Sequence, residues 1–356
     1  MQAVEIKNLT FTYSKKTPFE KTALDNVNLS IEEGSFVGII GATGSGKSTL
    51  IQHINGLIKQ QDKKNCSIVV DGLDARDKKT LKKLRFAVGM VFQYPEYQLF
   101  EDSVAKDIAF GPKNMKLTKE EVDKRVHKAM EVVGLPYDNF ADRSPFDLSG
   151  GEKRRAAIAG VIAMQPKILV LDEPVAGLDP VGRVDIISLI KKLQKEVSPT
   201  IIMVSHNMDD IAVLADRIIA LQDGKIVADG TPSEVFSDRE NIKKIGLDTP
   251  TATRLSDCFI AKGYDLPHDI VTMESLKLAL KSIKEAETAD NKNLKNDSKN
   301  KEEKTVEKSN NIEEKSVEKN IEKTNNIEEK TIEETQNEAE EKGENSAEEK
   351  GVAPRV

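Results

Sequence analysis

Apolar positions in the first 284 residues fall into short runs: Val4–Ile6, Phe36–Ile40, Ile68–Val70, Val88–Phe92, Ile168–Leu171, Ile201–Val204 and Ile218–Leu221. Several of these runs are unbroken, as in strands of a sheet covered on both faces. Helix-like stretches lie between them. Thr118 to Glu121 predicts a capped helix through about Val133, stopped by Gly134 and Pro136, and Thr231-Pro232-Ser233-Glu234 repeats the signal for a shorter helix. Strands alternating with helices predict an α/β domain with a mostly parallel sheet. The first 35 residues alternate with Thr, Asn and Ser and predict antiparallel strands beside that core.

From Glu285 onward the pattern changes. The last 72 residues hold 13 basic and 21 acidic side chains and no aromatic, a net of -8 against -7 for the whole chain, so the body is close to neutral at +1. Val306, Ile312, Val317, Ile321, Ile327 and Ile332 keep no heptad spacing, so a coiled coil is not expected. Too few apolar groups remain to offset the entropy of ordering, and residues 285–356 are expected to be disordered. A near-neutral body gives no electrostatic case for broad nucleic-acid binding. Two cysteines, Cys66 and Cys258, make no disulfide framework. No apolar run reaches the roughly 20 residues of a membrane span, and the first residues do not read as a signal peptide. The chain is expected to be intracellular and to reach a membrane only through a partner.

The strand Phe36–Ile40 runs into Gly41-Ala42-Thr43-Gly44-Ser45-Gly46-Lys47-Ser48-Thr49, a G-x-x-x-x-G-K-S loop ahead of a helix. Its glycines let successive N–H groups face inward and, with the helix N-terminus, bind an anion. Lys47 is expected to reach the β and γ phosphates of a nucleotide, and the Ser48 hydroxyl to ligate Mg²⁺. A second apolar strand ends in Asp172-Glu173. Asp172 is placed to hold the Mg²⁺ shell, and Glu173, one residue on, to orient or deprotonate an attacking water.

These residues resemble the nucleotide-binding subunits of ABC transporters, over roughly residues 2–240. Leu148-Ser149-Gly150-Gly151-Glu152 resembles the ABC signature, about 100 residues after the phosphate loop and about 20 before the carboxylate pair. The resemblance implies a P-loop NTPase core of RecA type with an antiparallel β subdomain and an α-helical signature subdomain. It also implies that the signature of one subunit closes over the ATP of another. Tyr13 falls where the family stacks an aromatic ring on adenine, and Gln93 where it contacts Mg²⁺ and water. Asp179, in Ala176-Gly177-Leu178-Asp179, matches the loop at the dimer interface, and His206 the γ-phosphate histidine. The family usually carries Gln where this chain has Glu152. Ser149-x-x-Glu152 is still a capping box, so the carboxylate is expected to turn back on its own helix. Val175 replaces a common threonine.

The segments Gln52–Leu57, Phe92–Phe100 and Ser144–Leu148 are similar to one branch, the energy-coupling factor transporter ATPases, specifically the second A-type subunit. That resemblance implies a heterodimer with a sister A-type ATPase. The pair would dock on a transmembrane T component and power S components that bind vitamins or metal ions, at the cytoplasmic face of the cell membrane. Domains are expected at 1–246 (the ATPase), 247–284 (a small C-terminal extension) and 285–356 (the tail). A translation-type ABC ATPase would carry two cassettes, and a repair-type one a long insertion between phosphate loop and signature; neither pattern is present. A non-catalytic regulator is disfavoured because Lys47, Ser48, Asp172, Glu173 and His206 are all there. The basic clusters Lys78–Lys79, Lys82–Lys83–Arg85 and Lys153–Arg154–Arg155 read as solvated helix faces.

Overall fold

The computed structural model describes residues 1–60 and 65–298. Two long strands open the chain, β1 (Gln2–Tyr13) and β2 (Lys21–Glu32), followed by β3 (Phe36–Ile40) and helix α1 (Lys47–Ile54). Then come β4 (Ser67–Val70), β5 (Leu73–Asp74), α2 (Leu81–Ala87) and β6 (Val88–Val91), with a short 3-10 turn at Pro95–Gln98. Helices α3 (Val104–Asn114), α4 (Lys119–Val132), α5 (Tyr137–Phe140) and α6 (Gly150–Ile162) form one run. The α/β pattern resumes with β7 (Ile168–Asp172), α7 (Pro180–Glu196), β8 (Thr200–Val204), α8 (Met208–Leu214), β9 (Arg217–Gln222) and β10 (Lys225–Gly230). Helices α9 (Pro232–Ser237), α10 (Arg239–Lys244), α11 (Thr251–Ala261) and α12 (Met273–Ser298) complete the described chain.

Six strands form one sheet in the order β10-β9-β3-β8-β7-β6. All neighbours in it are parallel except β10, which pairs antiparallel at the edge. The second sheet, β2-β1-β4-β5, is antiparallel, as the alternating first residues predict. The unbroken apolar strands are explained by their two covered faces. Phe36, Ile40, Leu169, Leu171, Ile201 and Met203 point into one buried cluster with α3, α4, α6, α7 and α8. Val37, Ile39, Ile168, Val170, Ile202 and Val204 point into another with α1 and the antiparallel sheet. Period-two alternation along each strand therefore divides the core in two, and polar residues such as Asp172 and Thr200 are confined to the strand ends.

The strand order reverses around β3, whose neighbours β8 and β9 come late in the chain. Open parallel sheets bind ligands beyond the carboxyl ends of their strands at such a switch. The turns after β3, β7 and β8 carry Gly41–Gly46, Glu173 and His206, so the fold gathers the sequence-predicted chemistry at one edge.

Residues 247–284 bury a small cluster of their own, Ala252, Leu266, Ile270 and Leu276, with Phe259, Leu280 and Ile283 packed on it. All of these residues but Lys284 fall in one compact unit spanning Met1–Ile283, and a second unit begins at Lys284. The tail departs from expectation at its start: α12 carries its backbone through Ser298. Its first turns are anchored by Leu276, Leu280 and Ile283, and extending an existing helix avoids the nucleation penalty that an isolated segment faces. The remaining residues expected to be disordered, 299–356, lie outside the described residues.

Candidate functional site

The phosphate loop is shaped by two close approaches. Gly41 stands at φ +152° and Gly46 at φ +108°; a Cβ on Gly41 would strike the Leu221 carbonyl oxygen, and one on Gly46 the Ala23 carbonyl oxygen. Only glycine fits where conformation and contact both exclude a side chain. Helix α1 starts at Gly46 with no side-chain cap, so the N–H groups of its first turn face the loop without an internal acceptor. Lys47 is buried, and its Nζ donates to the carbonyls of Gly41 at 2.7 Å and Ala42 at 3.0 Å. Burial holds the Lys47 ammonium below its ordinary pKa, against the opposing pull of Glu173 and Asp172. Ser45 Oγ is buried without a hydrogen-bond partner.

A cavity of about 260 Å³ opens beside this loop, lined by Tyr13, Lys21, Ala23, Gly44, Gly46, Lys47, Ser48 and Thr49. Tyr13 is partly exposed at its mouth, with its hydroxyl 3.1 Å from Thr49 Oγ1 and its ring edge-on to Phe11. Lys21 lies across from Gly44 and was not among the sequence-predicted residues. A single lysine on a surface strand carries no signal of its own; only the pairing of β2 with β1 brings it to the loop.

The carboxylate pair stands at the end of β7. Glu173 takes a left-handed backbone, φ +52°, with its N–H bonded to the Val204 carbonyl at 3.0 Å. That conformation is uncommon outside glycine and concentrates at functional sites. Glu173 Oε1 lies 3.1 Å from His206 Nε2 but accepts no aligned hydrogen bond. Burial pushes the Glu173 carboxyl up to about 7, assisted by the charge of Asp172 and opposed by the His206 backbone N–H and Lys47. Asp172 is pushed up as well, by burial, with Lys47 opposing. Burial also lowers His206, and Lys47 adds to the effect. Two carboxylates destabilised in their charged forms share one cation, Lys47. The carboxylates, and the Ser48 hydroxyl in the loop cavity, are hard oxygen donors of the kind that suits a divalent cation of the Mg²⁺ type.

The remaining predicted residues are carried by other elements. The signature begins α6: Ser149 caps it, the Ser149 side chain accepting from Glu152 N–H while Glu152 Oε2 accepts from Ser149 N–H at 2.8 Å. The Glu152 carboxyl is lowered by those bonds to Ser149. Leu148 is buried, whereas Ser149, Gly150 and Gly151 are exposed, and a Cβ on either glycine would meet nothing within 4 Å. None of Leu148–Glu152 lines the phosphate-loop cavity. Asp179 caps α7 by accepting from Gly182 N–H at 2.8 Å. Gln93 is exposed and makes no hydrogen bond among the described residues.

One reading of the sequence is corrected here. Lys153–Arg154–Arg155 is not a solvated face: Arg154 is 1% exposed, with its guanidinium bound by Glu96 and by the carbonyls of Pro174 and Ala176. Helix α6 is wedged against α3, α4 and the turn at Pro95–Gln98, so a position that looks polar along the chain turns inward. Lys78, Lys79, Lys82, Lys83 and Arg85 are exposed as expected.

A phosphate loop, a strand-end carboxylate pair and a histidine on one sheet edge, with a capped signature helix displayed elsewhere, define an ATPase of the ATP-binding-cassette class. Residues 24–176 match the ABC transporter family. The chain is 55% identical over 284 residues to the energy-coupling factor transporter ATP-binding protein EcfA2 of Clostridium acetobutylicum, a match covering 80% of this chain and 98% of that one. Among solved structures it resembles cbiO1 of Clostridium perfringens, described as part of the ABC transporter complex cbiONQ. There the identity is 38% and the TM-score 0.61, with 73% of this chain and 99% of that one covered. It also resembles the ATP-binding cassette MJ0796, solved as a dimer in a post-hydrolysis state with ADP and Pi. That match has 33% identity and a TM-score of 0.56, and covers 64% of this chain and 98% of the other. The chain belongs to the ATP-binding subunits of energy-coupling factor transporters, within the ABC transporter family. It binds nucleotide and hydrolyses ATP as the ATPase of an ABC transporter. No described helix is long and apolar enough to cross a membrane.

Proposed function

We propose that the chain is one half of an ATP-driven clamp that powers uptake of vitamins or metal ions. It would pair with a sister A-type ATPase beneath a transmembrane T component that serves interchangeable S components. The assembly would sit at the cytoplasmic face of the cell membrane, and this chain would meet the membrane only through those partners. The observation that carries the reading is the separation within one chain of a phosphate-loop cavity, where Lys47 is buried, from the exposed Ser149, Gly150 and Gly151 of the signature, which do not line it. Each is half of a site, and a second subunit facing the first would complete both. The dimeric state of MJ0796 supports the same geometry.

In this reading Gly41, Ala42, Thr43, Gly44, Ser45, Gly46, Lys47, Ser48 and Thr49 hold the triphosphate, and Tyr13 stacks on the adenine. Lys47 would exchange its two loop carbonyls for phosphate oxygens, a stronger charge-assisted pairing. Ser48, Asp172 and Gln93 would hold Mg²⁺, which when bound would offset phosphate charge. Leu148, Ser149, Gly150, Gly151 and Glu152 present the start of α6 to the partner's nucleotide, where the helix dipole favours the γ-phosphate. Asp179 lies on the loop that would meet the partner. Glu173 takes a proton from the attacking water, and its raised affinity for protons suits a general base. His206 holds the γ-phosphate end of the site against Glu173. Charge repulsion after cleavage then reopens the pair.

The T component would enter a groove of about 390 Å³ flanked by Phe86, Leu99, Phe100, Phe110 and Met164. Phe100 and Phe110 are exposed and edge-on to each other there. The exposed Tyr94 and Tyr97 on the adjoining turn extend this apolar surface. Co-purification of the chain with a second A-type ATPase and a T-type membrane protein tests the assembly. Recovery with two full-sized permeases instead would replace it with an ordinary importer.

A further inference from the structure

Arg154 joins three segments that the proposed function gives separate tasks. It lies on the signature helix, five residues past Ser149. Its Nε and Nη2 donate to the two Glu96 carboxylate oxygens, each at 3.1 Å. Glu96 belongs to the turn at Pro95–Gln98, beside the apolar groove. Arg154 Nη1 donates to the carbonyls of Ala176 at 2.9 Å and Pro174 at 3.3 Å, in the loop that follows Glu173. A second contact joins the same turn and loop: a Cβ on Gly177 would stand 3.2 Å from Tyr94 Cε1.

Stability is a weak reason to keep such a residue. A buried ion pair recovers its desolvation cost only with good geometry, and well-packed apolar groups often replace one without loss. What an apolar replacement cannot do is hold direction. The planar guanidinium fork fixes the angle between a bidentate carboxylate on one side and two carbonyls on the other. Those carbonyls sit one and three residues from Glu173, whose left-handed backbone must be held in place by its surroundings.

We propose that Arg154 is a positioning residue: it carries displacement of the Glu96 turn to the Pro174–Ala176 loop, so that the placement of Glu173 follows the docking of the membrane component. This inference rests on the docking surface and the Glu173 role proposed above.

The test uses the assembled transporter and steady-state ATPase kinetics. Arg154→Lys keeps the charge but loses the fork, and Glu96→Gln keeps the shape but loses the charge. Arg154→Lys should lower kcat tenfold or more, and Glu96→Gln about fivefold, each with KM for ATP within twofold of the parent. Tyr97 is 84% exposed on the same turn, and Tyr97→Ala should lower kcat severalfold in the parent. In the Arg154→Lys background it should have no further effect, because the path it uses is already cut. Losses that simply multiply would overturn the inference and leave Arg154 a structural group. So would parental kcat in both single variants, or a kcat loss in Arg154→Lys that tracks its folded fraction while Glu96→Gln behaves as parent. If Tyr97→Ala is silent in the parent, the docking surface is wrongly assigned and this inference falls with it. If Glu173→Gln retains turnover, the base assignment fails instead.

Discussion

The phosphate loop and the signature differ in how complete each is within one chain. Around the loop nearly everything is in place: Lys47 is buried on two carbonyls, Gly41 and Gly46 are locked by their neighbours, and Tyr13 is tied to Thr49. The signature has a finished internal geometry, with both halves of the Ser149–Glu152 capping box formed, but its glycines face open space. In the proposed clamp the first region receives the chain's own nucleotide, and the second would become part of a partner's site. Preorganisation on one side and exposure on the other is what a switch needs, since the closed state must depend on nucleotide rather than on standing contacts.

The sharpest way to separate the two regions is to disable one of them at a time. Glu173→Gln should lower kcat of the assembled transporter by about 10²–10⁴ while ATP binding persists, as read by filter binding and phosphate release. Ser149→Arg places a bulky cation where the partner's nucleotide would approach. It should cut kcat by about tenfold or more, the effect of losing about 1.4 kcal/mol of transition-state stabilisation, and leave ATP binding to the chain's own loop within about twofold. A variant that loses its own ATP binding would mean that signature and loop are not separate half-sites.

A smaller effect concerns the charge stored beside the loop. Glu173 titrates near 7 in the folded chain against 4.5 for the ordinary side chain. Its ionisation is therefore harder in the folded state than in the unfolded one. The stability it contributes is fully present below about 4.5 and is lost as pH rises through 7. Without nucleotide or divalent cation, Glu173→Gln should be more stable than the parent at pH 8, by on the order of 1–3 kcal/mol. At pH 4.5 the two should converge in chemical denaturation. A constant difference across that range would assign the effect to packing. Smallest of all should be Glu152→Gln. Because the carboxylate is turned back on the Ser149 N–H, ATPase should stay within about threefold of the parent, since Gln serves the same box. A tenfold rise would show that its charge reaches the nucleotide.

Much of this was legible in the sequence, for a physical reason. Anion binding by such a loop needs closely spaced glycines and a following lysine, and the strand end proposed to hold a metal carries adjacent carboxylates, so the chemistry is written in nearly contiguous residues. Strands covered on both faces betray themselves as unbroken apolar runs, and Phe36–Ile40 and Ile168–Leu171 became β3 and β7. Arg154 was misread because its role depends on Glu96 and Ala176, far away along the chain. Nothing in Lys153–Arg154–Arg155 says which of the three turns inward. Lys21 was missed for the same reason. The extent of α12 depends on the anchor that Leu276, Leu280 and Ile283 give to its first turns, which local composition does not show.

Sedimentation of the Glu173→Gln chain with its sister A-type subunit, with and without ATP, addresses the clamp itself. Two incomplete half-sites bridged by a triphosphate should associate at least tenfold more tightly with ATP than without nucleotide. Equal association in both conditions would contradict the clamp, whatever the catalytic rates.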